Sequence, residues 1–94
     1  MAPESTLRTE VLFEGRVQGV GFRYTAQSIA KGYDVVGYVQ NLPDGRVKLV
    51  AEGARHQIDR FLDDLAGRME DHIQDQHRSD GPATGEFSQF GVRH

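Results

Sequence analysis

The stretch Gly15-Arg16-Val17-Gln18-Gly19-Val20-Gly21 constrains the fold more than any other feature of this chain. Three glycines in seven residues break regular structure and permit left-handed backbone angles. Before the stretch, Arg8–Glu14 alternates, with Leu12 and Glu14 on one face and Val11 and Phe13 on the other. The adjacent Val11, Leu12 and Phe13 predict a largely buried strand there. After it, Phe22, Ala26, Ile29, Ala30 and Tyr33 recur at three- and four-residue steps, predicting a helix from Phe22 to Tyr33 with Gly32 near its end. The glycine-rich segment therefore feeds a strand directly into a helix.

The remaining pattern completes a recognisable order. Val35–Leu42 alternates as a strand, Val36, Tyr38 and Gln40 against Val35, Gly37, Val39 and Asn41. Pro43-Asp44-Gly45 is a turn, because proline presets one backbone angle and Asp-Gly tolerates the reversal. Arg46–Glu52 returns as a hairpin partner. Ala54–Ala66 reads as a second helix, with Ile58, Phe61, Leu62 and Leu65 as its apolar stripe and a charged opposite face. Met69–Gln76 reads as a strand around Ile73, Ser79–Gly85 as a loop, and Glu86–Arg93 as a last strand bent or bulged between Phe87 and Phe90. The order is strand, helix, strand, strand, helix, strand. It predicts an α+β, ferredoxin-like split βαβ sandwich (βαββαβ), with an antiparallel sheet of four to five strands and two helices on one face. Residues 1–6 are expected to be a flexible start and 7–94 a single domain.

In this topology the first and second strands run parallel with the third between them, so their C-terminal ends share one edge of the sheet. Gly15–Gly21 leaves the first strand there and Asn41 closes the second, about 10 Å apart. That gap suits a phosphate and one water. Backbone N–H groups at a helix start favour an anion, and glycines let them approach its oxygens. Arg23, in the first helical turn, carries a planar guanidinium suited to phosphate. The Asn41 amide can accept from water and donate to phosphate. Blander readings stand beside these: a plain strand-to-helix connection, a surface arginine, a turn asparagine before Pro43. No Gly-Lys-Ser/Thr follows the loop, so nucleotide binding of the Walker kind is not indicated.

Composition removes other classes. With 94 residues the chain fits one domain, and a net charge of −3 gives no basis for a general nucleic-acid or membrane binder. There is no cysteine, which excludes disulfides and thiolate chemistry. Met1–Thr6 has no apolar stretch of signal length, and no segment approaches the ~20 apolar residues of a membrane span. A cytoplasmic protein is expected. His56, His72, His77 and His94 show no ligand spacing, and no metal site is expected.

Gly15 to Phe22, followed by Arg23, resembles the phosphate-loop signature of acylphosphatases. Gly37-Tyr38-Val39-Gln40-Asn41, followed by Gly45, Val47 and Gly53, resembles that family's second signature. The resemblance reaches the final Phe87-Ser88-Gln89-Phe90. It implies hydrolysis of the carboxyl–phosphate bond of a small-molecule acyl phosphate. Arg23 would bind the phosphoryl group and Asn41 would orient the attacking water. The loop of Arg16, Val17, Gln18, Gly19, Val20, Gly21 and Phe22 would cradle the oxygens, with no metal or cofactor. A monomer is expected. Tyr38 stands where tryptophan is common in the family, and Gln40 where a basic residue is common. Three other readings remain: a carbamoyl-phosphate-handling module like that of hydrogenase-maturation proteins, a ferredoxin-like RNA-binding module lacking an aromatic on its third strand, and a phosphate binder without turnover.

Overall fold

The computed structural model describes residues 6–94. The expected flexible start lies outside the described residues except for Thr6, where the first strand begins. The elements run β1 (Thr6–Gly15), α1 (Phe22–Ala30), β2 (Val35–Asn41), β3 (Val47–Ala54), α2 (Arg55–Arg68), β4 (Ile73–Pro82) and β5 (Phe90–Arg93). The ferredoxin-like order is present, with a fifth strand added.

The sheet order is β4-β1-β3-β2-β5. β3 pairs antiparallel with both β1 and β2, and β4 pairs antiparallel with β1. β5, however, runs parallel to β2, so the sheet is mixed and not antiparallel throughout as expected. The segment after Pro82 crosses from the β4 edge to the opposite edge and enters it in the direction of β2. Sequence patterning senses which face a residue occupies and is blind to that direction.

Alternation sorts the core. Val11 and Phe13 of β1, Val35 and Val39 of β2, and Val47, Leu49 and Ala51 of β3 are buried together with Phe22, Ala26, Ile29 and Ala30 of α1 and Ile58, Phe61, Leu62 and Leu65 of α2. Each large side chain fully buried there contributes about 1.5–3 kcal/mol relative to exposure. Phe22 packs on Phe13 with ring centroids 4.9 Å apart, which pins the start of α1 to β1. The expected bend near the C-terminus separates two faces: Phe87 packs against Tyr38 at 5.8 Å, and Phe90 against Phe61 at 5.3 Å.

Several boundaries depart from expectation: β4 begins at Ile73 and not Met69, and the last strand begins at Phe90 and not Glu86. α1 ends at Ala30, after which Lys31, Gly32 and Tyr33 donate to Ser28, Ile29 and Ala30 in tighter turns. The loop expected over 79–85 is strand through Pro82. Almost every β4 side chain after Ile73 is exposed, so no apolar pattern marks it. The long outer edge of β1 supplies the pairing, from Leu7 opposite Pro82 to Gly15 opposite Ile73.

Candidate active site

β1 and β2 are separated by one antiparallel strand, so their C-terminal ends lie two strand spacings apart, about 10 Å. A cleft of about 260 Å³ opens at this edge, lined by Val17, Gly19, Gly21, Phe22, Arg23 and Asn41, with Tyr24 on its rim.

The loop shapes the cleft through its glycines. Gly19 and Gly21 adopt φ of 75° and 78°, a left-handed geometry that side-chain-bearing residues adopt at a cost. Gly21 is the residue preceding α1 and supplies no capping side chain, while its carbonyl accepts from Thr25 N–H at 2.9 Å. The first N–H groups of α1 thus face the cleft edge with the positive end of the helix dipole behind them. Val17 is fully buried and ties the loop to the core.

Gln18 fixes the loop against the opposite wall. Its Nε2 donates to the carbonyls of Leu42 at 2.7 Å and Arg46 at 2.9 Å, either side of the β2–β3 turn. That turn is itself braced by Asp44. Its carboxylate accepts from Arg46 N–H at 3.0 Å and pairs with Arg46 Nε at 2.8 Å, bonds that hold Asp44 below the usual carboxylate range.

Asn41 is the last residue of β2, on the helix-facing side with Val39. Its Oδ1 is buried and has no hydrogen-bond donor among the described residues. An unmet buried acceptor costs about 1–3 kcal/mol, so this one is poised for a donor entering the cleft. Arg23 directs Nη1 to within 3.2 Å of His94 Nδ1.

The structure therefore brings Val17, Gly19, Gly21, Phe22, Arg23 and Asn41 to one cleft. Arg16, Gln18 and Val20 do not line it. Arg16 is exposed and its N–H donates to the His72 carbonyl at 2.9 Å. Gln18 turns its side chain to the β2–β3 turn, and Val20 faces solvent. Sequence reasoning missed His94 and Tyr24 at this site. Tyr24, next to Arg23 in the first helical turn, was legible; His94 carried no local signal.

Two other features lie outside this cleft. His77 Nε2 lies 3.0 Å from Glu14 Oε2 and 3.5 Å from Asp75 Oδ2, a surface cluster that the β1–β4 pairing assembles. A larger hollow of about 520 Å³ sits at the opposite end of the sheet, beside Asp34, Glu52 and His56. The buried carboxylate there is already occupied. Glu52 accepts from Thr84 N–H and Gly85 N–H at 3.0 Å each and from Thr84 Oγ1 at 2.8 Å, with Arg8 at 3.4 Å. It has the chemistry of a structural brace, whereas the smaller cleft combines a cation, a helix start and an unmet acceptor.

A cation, a helix start and an unmet acceptor on this fold have the chemistry to receive a small anion. The acylphosphatase family model matches residues 9–92. The chain is 46% identical over 54 residues to the acylphosphatase of Acaryochloris marina, a match covering 57% of this chain and 58% of that protein. It is 48% identical over 64 residues to that of Mycolicibacterium vanbaalenii, covering 68% and 69%. The crystal structure of Bacillus subtilis acylphosphatase superposes with a TM-score of 0.83 at 28% identity, covering 94% of this chain and 99% of that one. This chain belongs to the acylphosphatase family.

Proposed function

We propose that this protein hydrolyses acyl phosphates to a carboxylate and inorganic phosphate, with Arg23 holding the phosphoryl group and Asn41 positioning the water. The observation that carries this reading is the convergence of Arg23 and the unmet Asn41 Oδ1 on one cleft at the start of α1.

The backbone of the loop from Val17 to Phe22, opened at Gly19 and Gly21, offers N–H donors to the phosphoryl oxygens, and Arg23 adds a charge-assisted pair. Asn41 Oδ1 accepts a bond from water and so aims its oxygen at phosphorus. The water oxygen bonds to phosphorus as the bond to the acyl oxygen breaks, and the carboxylate leaves with the electron pair. The amide is too weak a base to take the water's proton, which passes to a phosphoryl oxygen. A carboxylate is a good leaving group, so no acid need protonate it, and positioning and charge stabilisation carry the rate. The chain's own groups suffice for each step, and neither a metal nor an organic cofactor enters it.

The reading extends to a cytoplasmic monomer acting on a diffusing small molecule and not on nucleic acid, supported by the net charge of −3. No helix among the described residues is long and apolar enough to cross a membrane.

The test is hydrolysis of benzoyl phosphate in EDTA by the wild type, Arg23→Ala and Asn41→Ala. Wild-type turnover is expected to survive EDTA and to fall about 100–1,000-fold in each variant. Loss of wild-type activity in EDTA, or near-normal rates in the variants, would overturn the assignments. Carbamoyl phosphate run in parallel decides between this reading and a carbamoyl-phosphate-specific module.

A further inference from the structure

Val20 and Tyr24 are the large apolar side chains left exposed among the described residues, at 37% and 61% of their full area. Scattered exposed apolar residues are ordinary on a soluble protein. These two are not scattered. They lie four residues apart, on either side of Gly21 and Arg23, at the same end of the sheet as Asn41. Tyr24 lines the mouth of the phosphate cleft itself.

Local geometry explains why both face outward. Val20 stands between two glycines with left-handed φ, and Val17, three residues earlier, takes the buried position in the loop. Tyr24 follows Arg23 on α1, whose buried stripe is Phe22, Ala26, Ile29 and Ala30, so its ring projects away from the core.

An acyl phosphate has two ends with opposite chemistry. With the phosphoryl end on Arg23 and the loop, the inner wall is closed by the buried Val17 and Phe22. The acyl end must extend through the mouth. There it meets the Tyr24 ring and passes the loop that carries the exposed Val20 isopropyl group. Each would gain from covering, and neither offers a cation to a charged acyl group.

We infer that Tyr24, with Val20 as its outer neighbour on the loop, forms the acyl-group subsite and selects substrates whose acyl part is aromatic or otherwise apolar. This rests on the proposed placement of the phosphoryl group at Arg23. Both side chains are exposed, so their replacement leaves the core intact.

The experiment compares kcat/KM for benzoyl phosphate and acetyl phosphate in the wild type, Tyr24→Phe, Tyr24→Ser and Val20→Ser. The benzoyl-to-acetyl ratio is expected to fall about 3–10-fold in Tyr24→Ser, mostly through KM, from loss of ring–ring contact. Val20→Ser should lower it less, and Tyr24→Phe should preserve it, because the ring and not the hydroxyl makes the contact. An unchanged ratio in both serine variants would overturn the subsite. If the wild type hydrolyses both substrates and Arg23→Ala does not, that result removes the subsite alone. If the wild type hydrolyses neither, the parent reading falls and this inference with it.

Discussion

Gln18 Nε2 donates to the Leu42 carbonyl at 2.7 Å, tying the glycine-rich loop to the residue that follows Asn41. A second bond from the same nitrogen reaches the Arg46 carbonyl at 2.9 Å. One side chain thereby sets the separation between the loop wall of the cleft and the wall that carries Asn41. Gln18 acts in this scheme as a positioning residue, through its side chain as much as its backbone.

Gln18→Ala should therefore lower kcat/KM for an acyl phosphate by roughly 10–100-fold, because small misplacements of reacting groups are costly. The accompanying loss of stability should be only about 1 kcal/mol. Kinetics beside urea unfolding would show whether activity falls further than stability accounts for.

His94 constrains Arg23 in a different way. A guanidinium has donors and no acceptor, so at 3.2 Å the His94 Nδ1 must accept, which places the ring proton on Nε2. His94→Ala removes this orienting contact. KM for an acyl phosphate should rise about 2–5-fold, the worth of one modest hydrogen bond, with the unfolding midpoint unchanged. A large drop in kcat instead would mean that His94 takes part in the chemical step.

Glu52 should contribute to stability in a pH-dependent way at the far end of the sheet. Burial pushes its carboxyl up, but donation from Gly85, from Thr84 and from the Arg8 guanidinium outweighs this and holds it below its ordinary value of 4.5. A depressed folded-state value means the contribution is fully present above the unfolded value and is lost as pH falls below about 4.5. Glu52→Gln should be less stable at neutral pH by about 1–3 kcal/mol, since an amide offers one acceptor oxygen where the carboxylate offers two. Its stability should also fall less steeply below that pH. Urea unfolding across the acid range checks both.

Gly37 is required by close backbone approach in the second motif. At φ 142° any Cβ would run into the Val50 carbonyl on the neighbouring β3. Gly37→Ala should cost about 2–4 kcal/mol, as backbone clashes in a core sheet do. A lower urea midpoint at an unchanged slope would be the signature.

The chain's own periodicities were enough to determine the order of β1, α1, β2, β3 and α2, because each element buries one face and repeats its apolar residues with the period of that face. They also placed Arg23 and Asn41 at one edge of the sheet, since parallel strands flanking a third must end together. Direction and edge pairing were decided in three dimensions. β4 is exposed along most of its length and exists because β1 presents an unpaired edge to it. β5 lies parallel to β2 because of the route its connection takes. The contacts of Gln18 with Leu42 and of Arg23 with His94 join residues 24 and 71 positions apart. No local pattern encodes such contacts, because they arise only once the packed sheet has brought the loop, the turn and the last strand to a common edge.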